Sequence, residues 1–321
     1  MNRCAVLILS TFVLLSCVSL PLTTTNEIVN RSKEVFIGNE ITILSLNMLH
    51  GFSDSENDAT LDLRLELLIR EVAKLSPDII LLQEASVTSP RRHGNVVDRL
   101  VLGLNSRNRN EYSSLFFPTH GSRLIGFYEG SAIVSRFSIA DAELYRYSSQ
   151  SLFPPEARAA LRASIDSREI PISVVSTHLT NRDSIRHGRS ILELQAFELA
   201  GKLVEWSRGG LLIVAGDFNA VPGSAPIQLI TESGAVDTWP EFLEKRKVLE
   251  PETDGTSLRG GVLDTGSVWG GRIDYVFLYT APGSAEVEIT DARQLFKEYY
   301  LFEGTPIWIS DHAGLMVRIK F

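Results

Sequence analysis

The stretch Pro77-Asp78-Ile79-Ile80-Leu81-Leu82-Gln83-Glu84 decides how this chain is read. Its apolar run is too short for a helix and begins with two isoleucines, so residues 79–82 are predicted as a strand buried on both faces. Residues 41–46, 172–175 and 211–215 read the same way, each apolar and bounded by polar or turn residues. Residues 313–321 alternate instead, with Leu315, Val317, Ile319 and Phe321 on one face, which predicts a half-exposed strand. Two amphipathic helices lie between strands. Leu65, Leu68, Val72 and Leu75 recur at helical spacing and stop before Pro77. Leu192, Ala196, Leu199, Leu203 and Trp206 form a second stripe, ended by Gly209-Gly210. Strand, helix and strand thus follow one another in both halves of the chain. Two similar units are expected, with helices covering the outer faces of sheets.

Polar residues gather where these strands end. Asn47 follows the first, Glu84 the second, His178 the third, and Asp217 with Asn219 the fourth. Asp274, in Arg272-Ile273-Asp274-Tyr275, and the pair Asp311-His312 open their strands instead. If the last two strands run antiparallel to the first four, all six motifs meet at one edge. The residue types suit metal-assisted phosphoester chemistry. Mg²⁺ takes a few hard oxygen ligands and keeps waters that a substrate phosphate can replace. Glu84 and Asp311 offer carboxylates, and Asn47 an amide oxygen. Asp217 and Asn219 stand two apart, so an extended backbone points both into one site. His312 can take a proton from an attacking water while Asp274 holds its ring. His178 then stabilises the developing charge or protonates the leaving oxygen.

Composition sets the frame. The 321 residues are 44% hydrophobic and 22% charged with a net charge of −8, which fits a globular chain and argues against a non-specific nucleic-acid binder. The short basic runs Arg91-Arg92-His93 and Lys245-Arg246-Lys247 read as solvated loops or helix ends. Residues 1–20 open with Arg3 and continue mostly apolar, but fall short of the roughly 20 apolar residues a spanning helix needs. They are predicted to be a signal peptide. Leu14-Leu15-Ser16-Cys17 resembles a bacterial lipobox, with Cys17 as the lipidated residue; cleavage a few residues later is the alternative. Residues 21–38 read as a polar tether and 39–321 as a single catalytic domain. Both cysteines, Cys4 and Cys17, lie in the leader, so no disulfide or thiolate site is expected in that domain.

Six stretches resemble, in order, the signatures of the endonuclease/exonuclease/phosphatase superfamily. They are Ser45-Leu46-Asn47, the stretch from Pro77 to Glu84, Ser176-Thr177-His178-Leu179, Gly216-Asp217-Phe218-Asn219, Arg272-Ile273-Asp274-Tyr275 and Ser310-Asp311-His312. The resemblance covers residues 41–321 and implies a four-layer αββα sandwich, two mixed sheets face to face with helices outside. It also implies a phosphodiesterase dependent on Mg²⁺, or on Mn²⁺. Carried over by motif, Asn47 and Glu84 are metal ligands and Asp311 a metal-side carboxylate. Asp217 and Asn219 orient nucleophile and phosphate, and Asp274-His312 are the base dyad. Histidine at 178 resembles the deoxyribonuclease I and sphingomyelinase branches, where apurinic endonucleases place tyrosine.

Glu129, ahead of Gly130-Ser131-Ala132, either orients His178 or is a surface glutamate. Asn181 either touches the phosphate or serves a turn, and Arg158 either binds phosphate or makes a surface ion pair. His50, His93, His120 and His187 read as loop residues. The expected partner is a phosphodiester substrate, whether lipid, nucleotide or nucleic acid, with a sphingomyelinase-like lipid phosphodiesterase or a secreted nuclease as the specific alternatives. No Trp-Cys-Asp-Arg stretch of the inositol 5-phosphatase kind is present. A non-enzymatic envelope lipoprotein would have lost a ligand or the base, and none is missing. Export, membrane attachment through the N-terminal lipid and a monomeric state complete the expectations.

Overall fold

The computed structural model describes residues 34–321 except 51–54, 89–93, 108–110, 123, 125, 153–154, 169, 183, 187, 248–254 and 281–285. Cys17 and the rest of the expected leader therefore lie outside the described residues, as do His93 and His187. The chain runs through β1 (Glu40–Asn47), α1 (Ser55–Leu75), β2 (Ile79–Thr88), α2 (Val96–Arg107), β3 (Ser113–Ser122), β4 (Phe127–Ser135), β5 (Ile139–Arg146), β6 (Ala159–Ile165) and β7 (Ile172–His178). It continues through α3 (Ile191–Ser207), β8 (Leu211–Asp217), α4 (Ala225–Glu232), β9 (Val236–Asp237), α5 (Thr238–Arg246), β10 (Asp274–Thr280), β11 (Glu288–Leu295) and β12 (Gly314–Lys320). Short hairpins occupy some of the connections.

Two six-stranded mixed sheets result, ordered β11-β12-β1-β2-β4-β3 and β9-β10-β8-β7-β6-β5. Each is built around one parallel pair, β1 with β2 and β7 with β8. A parallel pair needs a crossover, which α1 and α3 supply. The two similar units expected from the sequence are these.

The apolar runs are unbroken because both faces of each central strand are buried. Ile79 and Leu81 join Ile41, Ile43, Val174 and Ile213 between the sheets. Ile80 and Leu82 turn outward onto Leu65, Leu68, Val72 and Leu100 of α1 and α2. On the far side Val175, Leu212 and Val214 pack on Leu199, Leu203 and Trp206 of α3. Helix, sheet, sheet and helix stack in that order. The fold is the αββα sandwich.

Three expectations need correction. β12 is buried, not half-exposed: Leu315, Val317 and Ile319 face the other sheet, while Met316 enters the core under α1. It lies between β11 and β1, and an interior strand has no open face when helices cover the sheet. Residues 34–38, read as the end of a tether, belong to the domain, because Phe36 is buried between the sheets and its N–H donates to Asp166 O. β2 does not stop before Glu84 but runs through it to Thr88.

Candidate active site

Register brings the motif residues together. Asp217 is paired with His178 on one side and with Asp274 on the other, so three of them stand in one row across β7, β8 and β10. β10 and β12 run antiparallel to their neighbours β8 and β1, as the single-edge arrangement required. Ser310 Oγ donates to Asn47 O at 2.6 Å, which ties the Asp311-His312 loop to the end of β1.

Glu84 reaches the site through an irregularity. The β2–β4 pairing slips between Leu82 and Ala85, and Glu84 sits there with φ 53°. A bulge re-aims a side chain in this way, and positive φ on a non-glycine is a strain that surrounding structure must impose. Gly216 answers a different demand. Its φ is 154°, and a Cβ would stand 1.8 Å from Thr177 O, so only glycine lets β8 close on β7 one residue before Asp217.

The Asp217 carboxylate is the hub. Its Oδ1 accepts from Asn219 N–H at 2.8 Å. Its Oδ2 accepts from Asn47 Nδ2 at 3.2 Å and lies 3.4 Å from His178 Nε2 and 3.7 Å from His312 Nε2. Burial pushes Asp217 up to about 7, with His312 opposing and the like charge of Asp274 adding to the rise. Asn47 Nδ2 also donates to Glu84 Oε1 at 3.1 Å, while its Oδ1 accepts from Leu49 N–H. Asn47 thus presents its nitrogen, rather than the expected oxygen, to the carboxylates and links the two sheets.

His312 Nδ1 lies 2.9 Å from Asp274 Oδ2, which fixes the proton on that nitrogen. Thr256, fully buried, donates to the same Asp274 oxygen at 2.6 Å while its own Oγ1 accepts from Ile273 N–H and Asp274 N–H. Burial acts to lower the His312 pKa, but Asp274 and Asp217 outweigh it and hold the value well above the ordinary range. Burial is also the main force raising Asp311, against His312, while Glu84 reinforces the rise. For Glu84 burial is outweighed by His50, Arg158 and His312, and its carboxyl stays below the usual range. Glu84 and Asp311 offer hard carboxylate oxygens, and the rise that the charge of Glu84 causes at Asp311 is what a bound cation would relieve, so the pair fits a hard divalent ion such as Mg²⁺.

A family profile described as Endonuclease/Exonuclease/phosphatase matches residues 44–312. The chain belongs to that family. Its members are in general metal-dependent hydrolases of phosphoester bonds. A comparison with curated protein sequences finds no match. Among solved structures, an endonuclease/exonuclease/phosphatase family protein from Leptotrichia buccalis aligns with TM-score 0.64 at 21% identity, over 88% of this chain and 100% of its own. D. rerio TDP2, complexed with single-strand DNA product, gives 0.62 at 19%, over 88% and 99%. The human Nocturnin catalytic domain with bound sulfate anion gives 0.59 at 19%, over 93% and 100%. At these identities the likeness is one of fold.

Against the family pattern, the surroundings of His178 differ from expectation. Glu129 is buried, not on the surface, but no bond joins it to His178 among the described contacts. Arg158 takes that place: Nη1 stands 2.7 Å from His178 Nδ1, and Nη2 pairs with Glu156 Oε1 at 2.5 Å. Arg158 therefore makes the ion pair the sequence suggested, but a buried one. Burial first, and then the Arg158 guanidinium, hold the His178 pKa well below its ordinary value. Arg158 donates to Nδ1, so the ring proton belongs on Nε2, which faces Asp217 Oδ2 at 3.4 Å with Asn219 Nδ2 beside it at 3.2 Å. Asn181 is exposed on the loop after β7 and is not drawn into the cluster.

Other contributors had no motif. His50 is beside Glu84, and His120 lies on β3, not in a loop. Buried Arg64 donates to Met48 O, Leu49 O and Ile309 O at 2.9, 2.8 and 3.2 Å, stapling the loop after β1 to the one before β12. An arginine in register with Leu61, Leu65 and Leu68 was the available signal. Gln83 joins Ser176 Oγ at 3.0 Å across the sheets directly beneath the site.

Proposed function

We propose that this chain is an Mg²⁺- or Mn²⁺-dependent phosphodiesterase in which His312, held by Asp274, accepts the proton of an attacking water. One observation carries the reading: His312 Nε2 and Asp217 Oδ2 face each other at 3.7 Å, with the Asp274 and Thr256 relay behind the ring. That gap is matched to an oxygen bonded to both. A divalent cation held by Glu84 and Asp311 would neutralise phosphate charge and lower the proton affinity of His312. The water oxygen attacks phosphorus, its proton passes to Nε2, and the bond to the leaving oxygen breaks, that oxygen departing as an alkoxide which takes its proton from solvent. His178 Nε2–H is placed to hydrogen-bond the phosphoryl oxygen as charge builds. Being neutral, it serves as a donor and not as a full acid. Asn219, whose Nδ2 donates to Leu179 O at 2.9 Å, supports the same wall.

The bound sulfate in Nocturnin and the DNA product in TDP2 favour a phosphate-bearing substrate. A net charge of −8 weighs against a long nucleic-acid polymer, because phosphate neutralisation supplies much of that affinity. A lipid or small nucleotide diester is the better match, and an exported chain tethered through Cys17 would work beside membranes. The test is a screen of purified protein, with Mg²⁺ or Mn²⁺, against sphingomyelin, nucleotide diesters and single-stranded DNA. Turnover of one class that disappears with chelator is expected. Metal-independent turnover, or none with any diester, would refute the assignment.

A further inference from the structure

Beside the hydrolytic centre lies a second group of donor atoms that the reaction above leaves unused. Glu84 divides its two oxygens. Oε1 turns toward Asn47 and the Asp217 side, whereas Oε2 faces His50, 3.3 Å from its backbone N–H and 3.7 Å from its Nε2. The same imidazole nitrogen is 3.2 Å from Glu129 Oε2. One donor atom from each of His50, Glu84 and Glu129 lies within 4.8 Å of the others. His120 Nε2 stands 3.6 Å from Glu129 Oε2 and adds a fourth donor to the edge of the group.

The backbone builds this convergence. One bulge, between Leu82 and Ala85, aims Glu84; a second, between Pro118 and His120 on the β3–β4 pairing, sets His120 opposite Glu129. Bulges in two successive pairings of one sheet are devices for re-aiming side chains. Glu129 forms the floor, its side chain only 4% exposed, while Glu84 and His50 at 18% and 27% leave one side open. Glu129 touches His178 only through Arg158, whose Nη1 lies 3.6 Å from Glu129 Oε1 and 2.7 Å from His178 Nδ1, so its other oxygen, Oε2, is the one turned to His50. Two ligands about 2.1 Å from one ion stand about 3.0–3.5 Å apart at octahedral or tetrahedral angles, close to the separations from His50.

We propose that His50, Glu84 and Glu129, flanked by His120, bind a second divalent cation of transition-metal type, with Glu84 bridging it to the cation at Asp311. The bridging part rests on the catalytic reading above; the His50–Glu129 part does not. Imidazole donors suit Zn²⁺ and its first-row neighbours, the two carboxylates admit Mn²⁺ as well, and a histidine-bearing set is foreign to Mg²⁺. A cation there would fix Glu84 from behind.

The test uses full-length protein stripped with chelator and titrated with Mn²⁺, free ion being read by electron paramagnetic resonance. Co²⁺ then serves as a second probe through its visible absorption. The parent is expected to take up about two Mn²⁺ per chain, and His50→Gln and Glu129→Gln about one each, because loss of a direct ligand weakens a site by at least the roughly tenfold to hundredfold seen for outer-shell changes. Co²⁺ should give a nitrogen-ligand absorption that both variants lose and Asp311→Asn keeps. Thermal unfolding checks that each variant is folded, and either one suffices if the other fails. One ion per parent chain, or an unchanged count in a folded variant, overturns the second site and leaves the catalytic cation standing. No ion at all, with turnover in chelator, overturns both.

Discussion

At the scale of single residues, His312, Asp274 and Thr256 form one hydrogen-bonded chain. Positioned acid–base catalysis contributes on the order of a hundredfold to ten-thousandfold, so His312→Ala should lose at least about a hundredfold in kcat while staying folded. Asp274→Asn should reproduce much of that loss, and the double variant should be little worse than His312→Ala, since members of a unit are not additive. If the two residues merely bridge strands, stability falls and turnover per folded molecule does not. Measuring kcat beside thermal unfolding separates these outcomes. The raised His312 pKa also has a sign in stability. With a folded value above the unfolded value of about 6.5, the native state binds more protons, so this stabilisation is complete below pH ~6.5 and is lost as pH rises through the folded value. Chelator-treated parent should therefore melt at progressively lower temperature above pH ~6.5. His312→Gln should flatten that slope, and an equal slope in both proteins would show that the linkage lies elsewhere.

At the scale of elements, the site depends on how strands end and helices begin. α3 opens with a full capping box: Ser190 Oγ accepts from Glu193 N–H and the Glu193 carboxylate accepts from Ser190 N–H. Ser190→Ala should cost about 1 kcal/mol with turnover per folded molecule preserved, because the cap lies outside the catalytic cluster. Gly216 is less forgiving. A methyl group 1.8 Å from the Thr177 carbonyl would force β8 away from β7, and Asp217 and His178 are the next residues on those strands. Gly216→Ala should destabilise by more than about 3 kcal/mol and reduce kcat in whatever remains folded. Denaturant unfolding with kinetics on both variants checks the contrast.

At the scale of the whole molecule, two sheets each contribute half of the site. Glu84, Asn47 and the Asp311-His312 loop come from the first, and His178, Asp217, Asn219 and Asp274 from the second. Gln83 and Ser176 join the sheets beneath them. A cation drawing on Glu84 and Asp311 should add stability by mass action, so saturating Mg²⁺ at about a hundred times its Kd should raise stability by about 2.7 kcal/mol. Glu84→Gln should abolish most of that gain and the activity together; an undiminished Mg²⁺ effect on its melting would remove Glu84 as the ligand. A separate expectation concerns the leader. Full-length protein should partition into detergent and Cys17→Ser should not, whereas equal partitioning would rule out lipidation there.

The sequence by itself determined the layers and the list of motif residues. Unbroken runs such as residues 79–82 mark strands buried on both faces, and the Leu65 and Leu199 stripes mark the covering helices. Each signal is local periodicity. Asn47, Glu84, His178, Asp217, Asp274 and His312 were legible because each stands beside such a run. Tertiary structure alone decided which atoms they present to one another. Burial between sheets turned residues 313–321 from a half-exposed strand into an interior one. A bulge, invisible to a period-two reading, put Glu84 inside β2 and aimed it. Partners such as Thr256, Arg158 and His50 lie far along the chain from the groups they touch, and their types are common in loops. Only the folded backbone supplies the distances, and distance is what turns a list of polar residues into one cluster.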